Sequence, residues 1–88
     1  MDERRLDGNA AGGTLGEVFA VEMTTAEGAC NNCGAVAHVG EVMAYMTEIG
    51  TVLRCATCEN VLIRVAHNPR GYFIDLRGVR YLRFESVP

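Results

Sequence analysis

Lysine is missing from this chain: all eight basic residues are arginine. That excludes a P-loop, whose lysine holds phosphate, and any Schiff-base chemistry. No run of about 18 apolar residues occurs, so no transmembrane helix is expected. The opening "MDERRLDGNAAGG" has charges but no apolar stretch of the kind that an export signal needs. The cytoplasm is therefore the expected location, with no membrane partner. Histidine is scarce, with only His38 and His67. No nucleophile–base set is visible, and a non-enzymatic protein is expected. There is no low-complexity segment and no internal repeat beyond the two cysteine pairs described below.

The length of 88 residues suits one domain with a thin core. Domains this small often need a metal or disulfides as a brace. The hydrophobic fraction of 49% and the charged fraction of 22% are those of an ordinary globular protein. The charge is uneven. Residues 1–50 carry two Arg against eight Asp/Glu, and residues 51–88 carry six Arg against three. The two halves can attract each other or serve different partners.

The four cysteines form two C-x-x-C pairs, Cys30/Cys33 and Cys55/Cys58, with 21 residues between the pairs. A C-x-x-C turn aims both sulfurs at one point and leaves backbone N–H groups free to bond them. Two such turns brought together by a sheet give the tetrahedral four-sulfur site of a structural zinc, one ion per chain. The same geometry suits a rubredoxin-type iron, which spacing alone leaves open. Disulfides call for an oxidising compartment. A thiol redox protein would use one pair ahead of a helix and leave the other pair without a role. A catalytic zinc keeps an open position, which four cysteines would close. Neither histidine has ligand spacing to a cysteine pair. The residue after each second cysteine often adopts a left-handed conformation that glycine allows. Gly34 fits that place and Glu59 does not.

Around these pairs the chain reads as follows. Residues 1–8 are expected to be a mobile arm, and residues 9–88 a single zinc-ribbon domain. Asp7 or Asn9 can cap a helix over 10–19, with Leu15, Val18 and Phe19 on one stripe against an apolar sheet face. "TEIG" at 47–50 and "NPRG" at 68–71 are turns, and "VLIRVA" at 61–66 is a buried strand. "YFIDLRGVRYLRF" reads as a second hairpin. Its register is open: a three-residue loop at 76–78 would put Asp75 at the first turn position and Gly78 at a left-handed bulge, whereas a two-residue loop at 77–78, which segregates the faces better, would pair Asp75 with Arg80 and Ile74 with Tyr81, placing Tyr72, Ile74, Leu76, Val79 and Tyr81 on one core-facing side. The fold class expected is thus a small, mainly-β zinc ribbon: an antiparallel sheet, two C-x-x-C knuckles and a short N-terminal helix.

The stretches "LDGNAAGGTLGEVFAVEMTTAEGACNNCG", "VLRCATCENVLIRV" and "IDLRGVRYLRF" resemble, in the same order, a family of small bacterial, mostly actinobacterial proteins known as domain of unknown function 6510. The resemblance covers nearly the whole chain, from Leu6 to Phe84. It implies a zinc-ribbon-like protein with Cys30, Cys33, Cys55 and Cys58 as ligands, and it implies no activity, substrate or partner. The role expected is a metal-stabilised interaction or adaptor module with a protein partner. A nucleic-acid-binding ribbon linked to transcription is the second reading, carried by Arg64, Arg77, Arg80 and Arg83 with aromatics interleaved. A thiol redox protein is the third. The second reading ranks lower because strand alternation sends Arg80 and Arg83 to opposite faces.

Overall fold

The structure, a computed structural model, describes residues 5–19 and 23–84, with side chains described over 6–16 and 23–84. Among the described residues, eight strands form two antiparallel sheets, accompanied by one short α-helix. The chain starts with β1 (Arg5–Asp7), a 3-10 turn over Gly8–Ala11 and α1 (Gly12–Phe19). It continues through β2 (Glu27–Cys30), β3 (Val36–His38), a second 3-10 turn over Val39–Glu41, β4 (Met43–Thr47) and β5 (Gly50–Arg54). The last three strands are β6 (Val61–Asn68), β7 (Gly71–Asp75) and β8 (Val79–Arg83). The larger sheet has the order β1-β4-β5-β6-β7, and the smaller has β3-β2-β8.

Turn chemistry sets the hairpins of the larger sheet. Thr47 pairs with Gly50 across Glu48-Ile49, and Asn68 pairs with Gly71 across Pro69-Arg70. Pro69 supplies the fixed φ, the Asn68 side chain accepts from the Arg70 N–H at 2.8 Å, and Gly71 takes a φ of 137°. Alternation then puts Ala44, Thr51, Leu53, Ile63 and Val65 on the buried face. Ala11, Leu15, Met23, Ala26, Val39 and Val42 complete that core from the helix and the connections. Leu15 is fully buried, as its place on the apolar stripe requires; the side chains of Val18 and Phe19 lie outside the described residues. Asp7 caps the Gly8–Ala11 turn by accepting the Asn9 N–H at 3.1 Å, and the α-helix begins only at Gly12.

Two expectations are corrected. Arg5–Asp7, expected to belong to a mobile arm, instead pair with Tyr45, Ala44 and Met43 as an edge strand, and residues 1–4 lie outside the described ones. More consequentially, residues 72–84 are not a hairpin. β7 pairs with β6, with Asp75 opposite Arg64, and β8 pairs with β2, with Tyr81 opposite Ala29. Asp75 and Arg80 are therefore not partners. The chain changes sheets at Leu76–Gly78. The Asp75 carboxylate accepts the Arg77 N–H at 3.0 Å and turns the backbone there. Gly78 is pressed so closely on β6 that a Cβ would lie 1.8 Å from the Val61 carbonyl oxygen. The Gly78 carbonyl then accepts the Asn31 N–H at 2.8 Å, which delivers the chain to β2. With the faces no longer shared, Tyr72 and Tyr81 stay exposed rather than entering the core.

Candidate metal centre

The sheets converge at the cysteines. The first knuckle hangs between β2 and β3 of the smaller sheet, and the second between β5 and β6 of the larger. The two are built alike. Cys30 N–H donates to the Ala35 carbonyl and Gly34 N–H to the Cys30 carbonyl, at 2.8 and 3.0 Å. Cys55 N–H donates to Asn60 and Glu59 N–H to Cys55, both at 2.8 Å. The same turn requires the same conformation after each second cysteine. Gly34 takes φ 80°, and Glu59 takes φ 65° despite its side chain. The bend thus falls on Glu59 itself. The Glu59 carbonyl accepts from the Arg54 guanidinium at 3.0 Å, which helps hold it there.

This arrangement brings all four sulfurs within 4.8 Å of one another. Cys30 and Cys58 are 3.7 Å apart, as are Cys33 and Cys55. With a Zn–S distance of about 2.3 Å, the edge of a regular tetrahedron is about 3.8 Å. Two sulfur pairs, each drawn from both knuckles, already have that edge. The donor set therefore fits a four-thiolate metal ion.

The surrounding N–H groups favour thiolate over thiol. Asn32 N–H points at Cys30 Sγ and Thr57 N–H at Cys55 Sγ, both at 3.4 Å, and Ala35 N–H points at Cys33 Sγ at 3.5 Å. Two side-chain amides add to these: Asn32 toward Cys58 Sγ at 3.5 Å and Asn60 toward Cys30 Sγ at 3.7 Å. Burial opposes ionisation of Cys30, but the N–H groups of Cys33 and Asn32 outweigh it and bring that thiol down to about 6. Cys58 is lowered chiefly by the Asn32 amide. Cys33 moves the other way, to about 11: the Ala35 N–H lowers it, but burial and the neighbouring sulfurs raise it more. Without an ion, four adjacent sulfurs cannot all ionise, so some hold protons. A divalent ion removes that conflict.

Asn32 and Asn60 are the residues that sequence reasoning missed as contributors. Their signal was faint: one amide inside the first C-x-x-C pair and one two residues past the second. The histidines stay apart from the cysteines. His38 Nδ1 lies 3.3 Å from Glu41, and His67 stacks on Tyr72 with ring centroids 4.6 Å apart. The four arginines considered for nucleic acid are not brought together. Arg64 is exposed on the larger sheet opposite Asp75. Arg77 is ion-paired to Asp75 at 2.7 Å. Arg80 and Arg83 lie on the other sheet, with Arg83 3.8 Å from Glu27.

Among the described residues, no helix is long and apolar enough to cross a membrane. In comparison with known proteins, residues 1–87 match the model of a family described as a family of unknown function, DUF6510. No curated protein and no solved structure matches the chain.

Proposed function

This chain belongs to the family of unknown function DUF6510, and on that premise, which brings no activity with it, we propose that it is a zinc-binding, non-enzymatic interaction module. The observation that carries the zinc reading is the pair of equivalent knuckles holding four sulfurs within 4.8 Å. The ligands are Cys30, Cys33, Cys55 and Cys58. Zinc would supply no reaction here. Four thiolates fill its shell and leave no position for substrate or water. Its role is to tie the smaller sheet to the larger, because Cys30 ends β2 and Cys55 follows β5. Four thiolates and one Zn²⁺ would move the formal net charge from −3 to about −5.

The adaptor reading is supported by the exposed apolar side chains Tyr72, Phe73, Ile74 and Leu76, which give a partner something to bind. The acidic balance and the acid partners of Arg77 and Arg83 weigh against a phosphate backbone as that partner. Elemental analysis of protein purified from its own host tests the metal: one zinc per chain is expected, whereas one iron, with visible absorption, would replace zinc by iron. Thiol reagents should react slowly until a chelator is added; fast labelling of a single sulfur would favour the redox reading. The partner class is tested by isolating the native protein and titrating oligonucleotides. No affinity tighter than the roughly 10⁻⁴–10⁻⁶ M of non-specific contacts is expected at about 150 mM salt. Sub-micromolar binding lost on replacing Arg64, Arg77 and Arg83 by Ala would overturn the protein-partner reading.

A further inference from the structure

β7 is an unusual edge. It is the last strand of the larger sheet, and among the described residues no strand pairs with its outer side. Proteins blunt such edges with shortness, charge or bulges. The other edges have these protections: β1 and β3 are three residues long, and β8 carries exposed Arg80 and Arg83 with a register shift against β2. β7 has five residues, and its central Tyr72, Phe73 and Ile74 are uncharged, apolar and 45%, 54% and 38% exposed.

The free hydrogen-bonding groups on this edge follow from the hairpin. Asn68 and Gly71 close a two-residue loop and so bond to each other. Bonded pairs alternate along an antiparallel ladder. Gly71, Phe73 and Asp75 therefore turn their N–H and C=O groups toward β6. Tyr72 and Ile74 turn theirs outward.

We propose that β7 pairs antiparallel with β7 of a second copy about a two-fold axis at Phe73, joining two five-stranded sheets into one. This register opposes Tyr72 to Ile74 of the second copy and Ile74 to its Tyr72. Both outward N–H and C=O groups of each strand are then satisfied at once. Phe73 meets Phe73 of the second copy as a close non-hydrogen-bonded pair, the position where aromatic side chains interact best. Beside each ring lies Ala66, its neighbour on β6, which leaves room for it. The charges agree as well. Arg70 precedes each strand and Asp75 ends it, so an antiparallel copy brings Asp75, already ion-paired to Arg77 of its own chain, toward Arg70 of the second copy and keeps the two Asp75 carboxylates at opposite ends of the seam. Asp75 faces Gly71 of the second copy, and no like charges oppose. Shifting the register by two residues would put Phe73 against Asp75 or Arg70 against Ile74. An extended sheet of this kind would give the module two metal centres on one rigid frame.

Charge swaps at Phe73 test the pairing, since this ring is exposed and its loss leaves the core intact. Sedimentation over about 5–500 µM should show a concentration-dependent dimer for the wild-type chain. F73K alone and F73E alone should each weaken the dimer by about tenfold or more, because like charges then face each other across the axis. Mixing the two variants in equal amounts should restore it as a heterodimer. The amides of Tyr72 and Ile74 should gain exchange protection with concentration, while the Phe73 amide stays protected throughout. A wild-type monomer over the whole range would overturn the proposal. So would a dimer that F73K and F73E leave intact, and so would a monomer whose β7 takes up a strand from another protein instead.

Discussion

Removing the proposed metal should release the smaller sheet before the larger one. The two sheets differ in what they bury. Leu53, Leu62, Ile63 and Val65 of the larger sheet are each at most 7% exposed. At about 1.5–3 kcal/mol for each such side chain, they contribute roughly 6–12 kcal/mol of gross burial energy. Within the smaller sheet only Ala29 and Cys30 are buried, helped by half-buried Ala37, Val79 and Leu82. Alanine offers little area, so this sheet has the weaker hold. For 88 residues the net stability expected is only about 4–13 kcal/mol. Structural zinc in small fingers contributes about 10–16 kcal/mol of apparent binding energy, as large as that whole margin. Cys33→Ser, or a chelator acting on the wild type, should therefore lower amide protection in residues 27–38 and 79–83 by at least about a thousandfold, equivalent to about 4 kcal/mol. Amides of β5 and β6 should retain more. Hydrogen exchange read by mass spectrometry, with metal content measured on the same samples, makes the comparison. Unchanged protection in β2 and β8 of metal-free protein would refute the reasoning, because it would mean that packing alone secures the smaller sheet.

Three further outcomes are expected. Gly34 and Glu59 occupy equivalent left-handed positions, so they should respond with opposite signs: Gly34→Ala should destabilise the metal-loaded protein by about 1–2 kcal/mol, and Glu59→Gly should stabilise it by about 0.5–1 kcal/mol. Denaturant midpoints measure both, and a stabilising Gly34→Ala would count against the shared knuckle geometry. Gly78→Ala should cost about 3 kcal/mol or more and disturb the β8 amides first, since its Cβ would meet the fixed backbone of Val61 and Leu62, not a movable side chain; a wild-type melting curve would be incompatible with the crossing as described. Finally, the Asp75 carboxyl is held down to about 2, first by its bonds from the Arg77 side chain and then by the Arg77 N–H. Its contribution is present above the ordinary carboxylate value of about 3.8–3.9 and fades as pH falls toward 2. Arg77→Ala should move the midpoint upward, as seen in the carboxyl carbon resonance of Asp75, and an unmoved midpoint would contradict that cause.

The parts of the fold that could be read from sequence are those fixed by a few adjacent residues. A C-x-x-C turn aims its sulfurs locally, so the candidate ligands could be named without knowing the sheets. The turns at 47–50 and 68–71 carry their own chemistry in Gly50 and in Pro69 with Gly71. "VLIRVA" declares a strand through its β-branched residues, whatever its partners are. β1 escaped notice because three residues, "RLD", make no period. The left-handed conformation was doubted at Glu59 because nothing in its side chain asks for it. The turn imposes it once Glu59 N–H bonds to the Cys55 carbonyl.

The segment from Tyr72 to Phe84 was misread for a different reason. Its pattern is that of two strands around a short link, and both strands exist. What the pattern cannot state is which neighbours they take. Pairing β7 with β8 would compete with pairing each of them to a strand already in place. β6 waits directly across the Pro69-Arg70 turn, so β7 is captured locally. β8 is then left to cross over, and the close fit of Gly78 on Val61 is a contact between residues 17 apart that no local window holds. The crossing matters to the metal centre. It puts Val79 opposite Cys30 and the Gly78 carbonyl on the Asn31 N–H, so the end of the chain frames the first knuckle from one side while β3 frames it from the other. The second knuckle needs no such help, because β5 and β6 flank it within the larger sheet. The two knuckles are thus equal in their bonds but unequal in their support, and the first depends on a strand that arrives last in the sequence.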